Sequence, residues 1–432
     1  MLAKATRRAI ASAVGAAACI FAMSTVGVGG ASAAALKPSV SLGGSMTGTL
    51  TVLNWQAGPF PLGKGFKILD DNFMKAHPGV KIVDTGMPFP TWETTFRTAF
   101  TTHTGDVFFM LAPAYLREFA PDLLPLNPYI TNAQKKLLGW SSVNVGSPSM
   151  IYGLPYNTDS QMFFYNKVIF KDAHLAGPPS TFTQFLADCK VLKAAGYTPF
   201  GGGAINGGRN LFGVLWPYLN SSADAVALGD GSLKWTDPKV KAVMDLIVDM
   251  QNAGCLSPAY PATNDSTTAV AQWQANKVGM LEGDMSYEPL LLNPNNTGFF
   301  RLNSVNGKPM AFIPLGTSIG WGISRWSSHT KLAYEYISYL TSAAAEQIRL
   351  NVDGIGPTNP AVSVSKARID IQWCFNYVKT HPNIPTGTIW TSDVLTVLQG
   401  QLDNQIAAVL TKSETVDQAL QTMETDAESA GV

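Results

Sequence analysis

Charge is scarce in this chain. Asp, Glu, Lys and Arg make up 14% of the 432 residues, against the roughly one quarter usual in soluble domains. The 30 acidic and 30 basic side chains cancel, and no basic run restores a footprint for nucleic acid. Cysteine is equally rare. There are four, none at C-x-x-C spacing, so no zinc site is expected. The five histidines include no H-E-x-x-H pair, so no metal or cofactor is expected. Beyond the N-terminal segment there is no apolar run of about 18 residues that would span a membrane. No repeat of fixed period occurs either, which removes solenoids and stalked adhesins.

What the chain does have is length, aromatic side chains and turn residues. Its 432 residues exceed what one core usually supports, so two domains are expected. Aromatics reach 10%, and 39 Gly and 27 Pro are spread along the sequence, which argues against disorder and against a coiled coil. Polar surface must come largely from Ser, Thr, Asn and Gln. Such a surface suits a neutral, hydroxyl-rich ligand better than a phosphate.

Residues 1–35 read as an export signal: Lys4, Arg7 and Arg8 form a basic start, an apolar stretch follows from Ala9 to about Val28, and Ala31-Ser32-Ala33 gives an A-x-A cleavage site. An exported protein, periplasmic or at the cell surface, is therefore expected. A retained membrane anchor is the rival reading, since the stretch approaches spanning length, but its Ala and Gly content and the A-x-A site favour removal. A lipid anchor at Cys19 is a further alternative, although Ala16-Ala17-Ala18 lacks the branched residue of a lipoprotein signal. Removing Lys4, Arg7 and Arg8 leaves 27 basic side chains against 30 acidic, a mildly acidic protein. Cys189, Cys255 and Cys374 then remain, an odd count that permits one disulfide at most.

After a Ser/Gly linker at 36–48, strand and helix alternate. The run 49–55 reads as a buried strand, and Phe66, Leu69 and Phe73 form a helical stripe ending near His77-Pro78-Gly79. Val80 to Val83 is a second strand, Trp92, Phe96 and Phe100 mark a second helix, and 106–110 is a third strand. Strand–helix–strand–helix–strand implies a parallel sheet wound by helices, with ligands beyond the carboxyl ends of its strands. That puts Asn54-Trp55-Gln56 in a binding position. Further helices are expected after Ser180 or Thr181, after Asp237-Pro238, at roughly 327–349, and at about 392–411 and 415–427.

The order of several motifs resembles the extracellular solute-binding proteins of ATP-driven sugar importers, the family of maltose-binding protein. They are Tyr152-Gly153-Leu154-Pro155-Tyr156, Tyr165-Asn166-Lys167, Gly177-Pro178-Pro179-Ser180-Thr181-Phe182 and Leu192-Lys193-Ala194-Ala195-Gly196. Trp235-Thr236-Asp237-Pro238, Asn276-Lys277-Val278-Gly279-Met280, the helix from Lys331 to Ile337 and Pro382-Asn383-Ile384-Pro385 continue the series. The resemblance implies an α/β, two-lobed periplasmic-binding-protein fold of type II, each lobe a mostly parallel sheet with flanking helices. It implies a hinge crossed three times, near 152–155, 303–313 and 341–348. Lobe 1 would comprise 49–152 plus 305–342, and lobe 2 153–304 plus 343–432. The partners implied are a carbohydrate held in the cleft and the membrane permease that receives it, with the protein itself a monomer.

A sugar presents hydroxyl edges and flat C–H faces, so its cleft needs amides, carboxylates and aromatic planes. Trp55 and Gln56 supply one plane and one amide at a strand end. Glu93 opens a helix, where an acid also stabilises the N-terminus. Asp106 lies where the family often has an Asp starting a strand, here preceded by Gly105. Tyr156 lies just past the first proposed crossing. Trp273 is either a cleft ring or a packed one. Asp284 and Tyr287 flank Met285, where the family often carries Trp. Trp321 sits between Gly320 and Gly322, and Trp390 maps near the family's stacking Trp, offset by about a residue.

An enzyme is the competing class. Gly316-Thr317-Ser318-Ile319-Gly320 satisfies G-x-S-x-G, with Asp353 or Asp370 and then His381 following in hydrolase order. The nucleophile elbow needs an immediate helix after its Ser, whereas Trp321 to Ser324 reads as strand. A secreted sugar-active hydrolase with paired carboxylates is the more serious form of this alternative.

Overall fold

The computed structural model describes residues 42–58, 62–88, 91–145, 150–284, 296–307, 313–380 and 393–430. The export signal, the Cys19 alternative, Tyr287, His381 and Trp390 lie outside the described residues, as does the side chain of Asp284.

The first expected unit forms as read. Strands β1 (Gly48–Leu53), β2 (Val80–Thr85) and β3 (Val107–Leu111) alternate with helices α1 (Gly63–Ala76) and α2 (Trp92–Thr102). Both β1–β2 and β1–β3 are parallel pairs. Phe66, Leu69 and Phe73 of α1 are buried, as are Trp92, Phe96 and Phe100 of α2. Short elements follow: α3 (Ala114–Glu118), α4 (Trp140–Val143), β4 (Asn144–Val145) and β5 (Met150–Ile151).

The long strand β6 (Gly153–Asn166) begins the second half. It leads to α5 (Lys167–Asp172), α6 (Phe182–Ala194), β7 (Thr198–Phe200), α7 (Gly208–Leu219), α8 (Ser222–Gly229), α9 (Pro238–Asn252), α10 (Asp265–Gln274), β8 (Val278–Asp284) and β9 (Thr297–Phe300). The expected caps are in place: Thr181 accepts from the Gln184 amide before α6, and Asp237 from the Lys239 amide before α9. Strand β10 (Ile313–Ile323) then returns, followed by α11 (Thr330–Leu340), α12 (Ala343–Asp353), α13 (Ile369–Thr380), α14 (Asp393–Leu410) and α15 (Val416–Ser429).

The single helix expected over 327–349 is two helices. The chain breaks at Thr341-Ser342, where the Ser342 hydroxyl accepts from the Ala345 amide and caps α12. A Ser in extended conformation that captures this donor competes with the helical continuation. Helices α7 and α13 were not read from the sequence.

The sheet order is β2-β1-β3-β10-β6-β8-β7, with β9 also pairing to β6. β7–β8 is parallel like the first three strands, whereas β10 runs antiparallel to both β3 and β6, and β6 antiparallel to β8 and β9. The parallel portions come from helix crossovers, and the antiparallel ones from the two long strands running in opposite directions side by side. The N-terminal half of β6 and the C-terminal half of β10 pack with β1–β3, α1, α2 and α11 in one apolar core containing Val52, Phe66, Phe109, Tyr156, Trp321 and Tyr336. The far half of β6 packs with α6, α7, α9, α14 and α15 in a second core around Phe163, Phe185, Phe212, Trp235 and Leu402. A smaller third cluster joins Phe164, Trp273, Leu281 and Cys374. The two long strands thus run from one core into another. A register shift between Pro314 and Gly316 and a left-handed φ of 67° at Asn157 mark the passage.

The odd cysteine count resolves into one bridge. Cys189 on α6 is bonded to Cys255 just past α9, and Cys374 is a buried free thiol. No helix among the described residues is long and apolar enough to cross a membrane.

Candidate functional site

Three parallel strands deliver their carboxyl ends to one edge of the first core. β1 turns there into Asn54-Trp55-Gln56, all buried. The Trp55 ring lies 4.8 Å from Trp92 at the start of α2 and 4.7 Å from Phe109 of β3. Trp92 in turn meets Tyr115 of α3 at 4.5 Å. Phe109 meets Trp321 at 4.6 Å, and Trp321 and Tyr156 both pack on Phe66. A continuous aromatic seam therefore runs from α2 through Trp55 to α1. Tilted and edge-on pairs of this kind fix ring orientation beyond simple burial.

Gln56 is held from two directions. Its backbone N–H donates to the Asn54 side-chain oxygen at 2.9 Å, and its side-chain oxygen accepts from Arg349 Nη2 at 2.7 Å. Arg349, on α12, is itself fully buried. It donates to the Leu62 carbonyl, pairs with Asp353 one turn on, and lays its guanidinium 3.8 Å from the Phe66 ring centroid. Asp353 also accepts from the Gly65 amide. A Cβ at Gly65 would collide with that carboxylate, so glycine lets α1 and α12 meet here. The Gln56 amide N–H2 group is the part of the side chain left over for another acceptor.

Glu93 is half-buried in the first turn of α2, beside Tyr115. Burial, and secondarily the Glu93 charge, pushes the Tyr115 phenol upward. Asp106 has an architectural position: it accepts from the Thr51 amide at 2.8 Å and from the Ser327 hydroxyl at 2.6 Å, fastening β1 and the β10–α11 loop to the start of β3. Trp273 is buried in the third cluster with Phe164, Leu281 and Val278, and not against Val270. Trp321 and Tyr156 are wholly within the first core. The glycines beside Trp321 admit protein side chains, since Cβ atoms there would meet Leu116 and Met110. The structure thus brings Trp55, Gln56, Glu93, Tyr156 and Trp321 into one region, and puts Asp106 and Trp273 elsewhere.

The sequence reading missed the polar run in β6. Asn157, Thr158, Asp159, Ser160 and Gln161 are consecutive and all buried, between the two cores. Five polar residues in an otherwise apolar strand were the available signal. Gln161 donates to Asn210 at 3.3 Å, near the N-terminus of α7, where Arg209 pairs with Asp403 at 2.7 Å. Tyr260 lies close by, its phenol pushed far up by burial and then by the charges of Asp265, Glu282 and Asp403. Amides and carboxylates therefore collect at the carboxyl ends of β7 and β8.

A third strip connects the halves. The Thr158 amide donates to the Gly356 carbonyl, its hydroxyl to Pro357, and the Thr358 hydroxyl to the Pro155 carbonyl. Glu346 anchors this strip by accepting from the Thr358 and Asn359 amides.

Ser318 lies inside β10, which continues to Ile323, and the next helix starts only at Thr330. The strand-to-helix elbow of a serine hydrolase is absent at this position. Asp353 is paired with Arg349 and Asp370 with Arg368. Among the described residues no group of three or more His, Cys, Asp or Glu is arranged to hold a metal ion.

Three comparisons bear on this arrangement. The family described as bacterial extracellular solute-binding protein matches residues 58–347. An uncharacterized ABC transporter extracellular-binding protein of Pyrococcus horikoshii is 25% identical over 317 residues, 70% of this chain and 70% of that one. Among solved structures, a chitin oligosaccharide binding protein superposes with a TM-score of 0.74 at 19% identity, over 89% of this chain and 99% of its own. Maltose-bound MalE3 of T. maritima gives 0.71 at 18% identity, over 88% and 99%.

Proposed function

The chain belongs to the bacterial extracellular solute-binding protein family, and from that premise we propose that it captures an uncharged carbohydrate between two lobes and hands it to an ATP-driven importer. The observation that carries the ligand class is the Trp55–Gln56 corner, a ring and an amide at a strand end, taken together with the buried polar run 157–161 of β6. Sugars match that chemistry through C–H faces against rings and hydroxyls against amides and acids. The solved relatives named above bind chitin oligosaccharide and maltose, which supports the same class here.

The lobe boundaries expected from the resemblance, 49–152 with 305–342 and 153–304 with 343–432, would shift so that α12 joins lobe 1. Since α12 packs on α1 through Arg349 and Asp353, the third passage is better drawn at 354–358, where Thr158 and Thr358 join the strips. Closure about the sugar is a hinge motion, and a micromolar affinity, about 8 kcal/mol, is ample to bias it if the closed form binds better. Trp55 and Gln56 would touch the sugar directly, with Glu93, Tyr156 and Trp321 shaping the wall behind them. Asp284, Tyr287 and Trp390 remain proposed contacts from the opposite side. Export through residues 1–35, with cleavage at Ala33 or Ala35 or lipidation at Cys19, and a monomeric state complete the proposal.

A thermal-shift screen across monosaccharides, oligosaccharides, polyols and amino acids tests the assignment. A sugar at about 100 times its dissociation constant should add roughly 2.7 kcal/mol of stability. Stabilisation by amino acids with no response to any carbohydrate would overturn it.

A further inference from the structure

Two carboxyls, the buried Asp70 and the half-buried Asp84, belong to the elements around the Trp55–Gln56 corner. Asp84, on β2, accepts from the Asn54 side-chain amide at 3.3 Å through Oδ2. Its other oxygen, Oδ1, is buried with no hydrogen-bond partner. Asp70, on α1, accepts from the Tyr336 hydroxyl of α11. Asn54 is the shared element: its Nδ2 holds Asp84, and its Oδ1 receives the Gln56 N–H. A relay of Asp84, Asn54, Gln56 and Arg349 therefore fixes the corner, with Arg349 at its far end.

Resting on the sugar-binding reading of that corner, we infer that Asp84 and Asn54 are positioning residues for Trp55 and Gln56, and that ionisation of the Asp70–Asp84 pair loosens the corner and weakens sugar binding. The groups facing the pair are Lys67 and Asp71 on α1, Tyr336 and Tyr339 on α11, Arg349 on α12 and Tyr156 on β6. Arg349 is the one buried cation in that set, and its guanidinium is already engaged by Asp353, Leu62 and Gln56. Two negative charges would therefore share this pocket without a dedicated counter-ion. Burial pushes Asp70 up to about 7 against the pull of its Tyr336 hydrogen bond. Asp84 is raised well above the usual carboxylate range by burial and then by the Asp70 charge. Both carboxyls are thus neutral in mild acid, and charge accumulates as pH rises past about 7. An ionised, unpartnered Oδ1 gains hydration by swinging outward, which releases Asn54 and with it the Gln56 amide.

The test uses an uncharged probe, so that the sugar itself does not titrate. The probe is whichever of maltose, raffinose, xylobiose and N,N'-diacetylchitobiose gives the largest thermal shift. Its dissociation constant is measured from pH 5.5 to 9 for the full-length exported protein and for Asp84→Asn, Asp71→Asn and Trp55→Ala. We expect a flat profile to about pH 7 and at least a fivefold weakening by pH 9 in the parent. Asp71→Asn, which removes a charge that raises Asp70, should keep that slope but move it to lower pH, and Asp84→Asn should abolish it. In the sugar-free protein, tryptophan emission should show a transition above pH 7 that Asp84→Asn removes. A flat parent profile, or a slope and emission change that survive Asp84→Asn, would overturn the inference. Unaltered sugar binding in Trp55→Ala would instead overturn the placement of the site. Silence of all four sugars would count against the ligand class, and the emission titration would still decide the relay.

Discussion

Arg349 and Gln56 are 293 positions apart, yet the guanidinium of one donates to the side-chain oxygen of the other at 2.7 Å. The contact ties the loop after the first strand to a helix near the end of the chain. That helix continues into the strip bonded to Thr158 of β6. Gln56 and the connection between the halves therefore share one buried cation.

Removing that cation should be costly. Arg349→Met leaves Asp353 as an uncompensated buried charge, and breaking buried pairs in this way typically costs about 3–5 kcal/mol. Urea unfolding followed by circular dichroism should give a midpoint shift of that size. A loss below about 1 kcal/mol would show that the pair behaves as a surface ion pair does.

The Trp55 ring should matter to binding as well as to folding, because it sits beside Gln56 at the end of β1 while packing on Trp92 and Phe109. Trp55→Phe keeps an aromatic plane and should weaken sugar affinity several-fold. Trp55→Ala should weaken it by at least tenfold, equivalent to about 1.4 kcal/mol. Calorimetric titration of both variants checks the order.

Glu346 makes stability depend on pH. Burial pushes its carboxyl from 4.5 up to about 8, despite hydrogen bonds from Thr358 and Asn359 that favour the charged form. The folded protein then holds a proton that the unfolded chain releases above 4.5. This contribution is complete below pH 4.5, falls as pH rises from there to about 8, and is constant beyond. The limiting slope is about 1.4 kcal/mol per pH unit. Glu346→Gln should flatten the curve in that window, as read from urea midpoints at successive pH values.

The disulfide between Cys189 and Cys255 closes a loop with a sequence separation of 66. Its reduction should lower stability by about 2–4 kcal/mol. Cys374, whose thiol donates to the Asp159 carbonyl in β6, should resist alkylation in the folded state and react on unfolding. Rapid modification of the native, sugar-bound protein would mean that the passage is open to solvent.

The alternation that produces β1, α1, β2, α2 and β3 was legible because each element carries its own apolar period, and so was the position of Trp55-Gln56 just past the end of β1. Caps at Thr181 and Asp237 were equally local. Asp106 and Trp273 misled for the same reason: their residue types suit a sugar, but their partners, Ser327 for one and Phe164 for the other, come from distant segments. Arg349 was invisible because its helix merges in sequence with α11 and its partner lies at the other end of the chain. The polar run of β6 was the missed cue, since its burial depends on two cores meeting around one strand.

The most direct measurement is a titration calorimetry series with uncharged oligosaccharides, coupled to chromatography of each mixture after prolonged incubation. The account predicts saturable one-to-one binding of a carbohydrate, recovered intact. Cleavage of the sugar, or one-to-one binding of an amino acid with no carbohydrate bound, would contradict it.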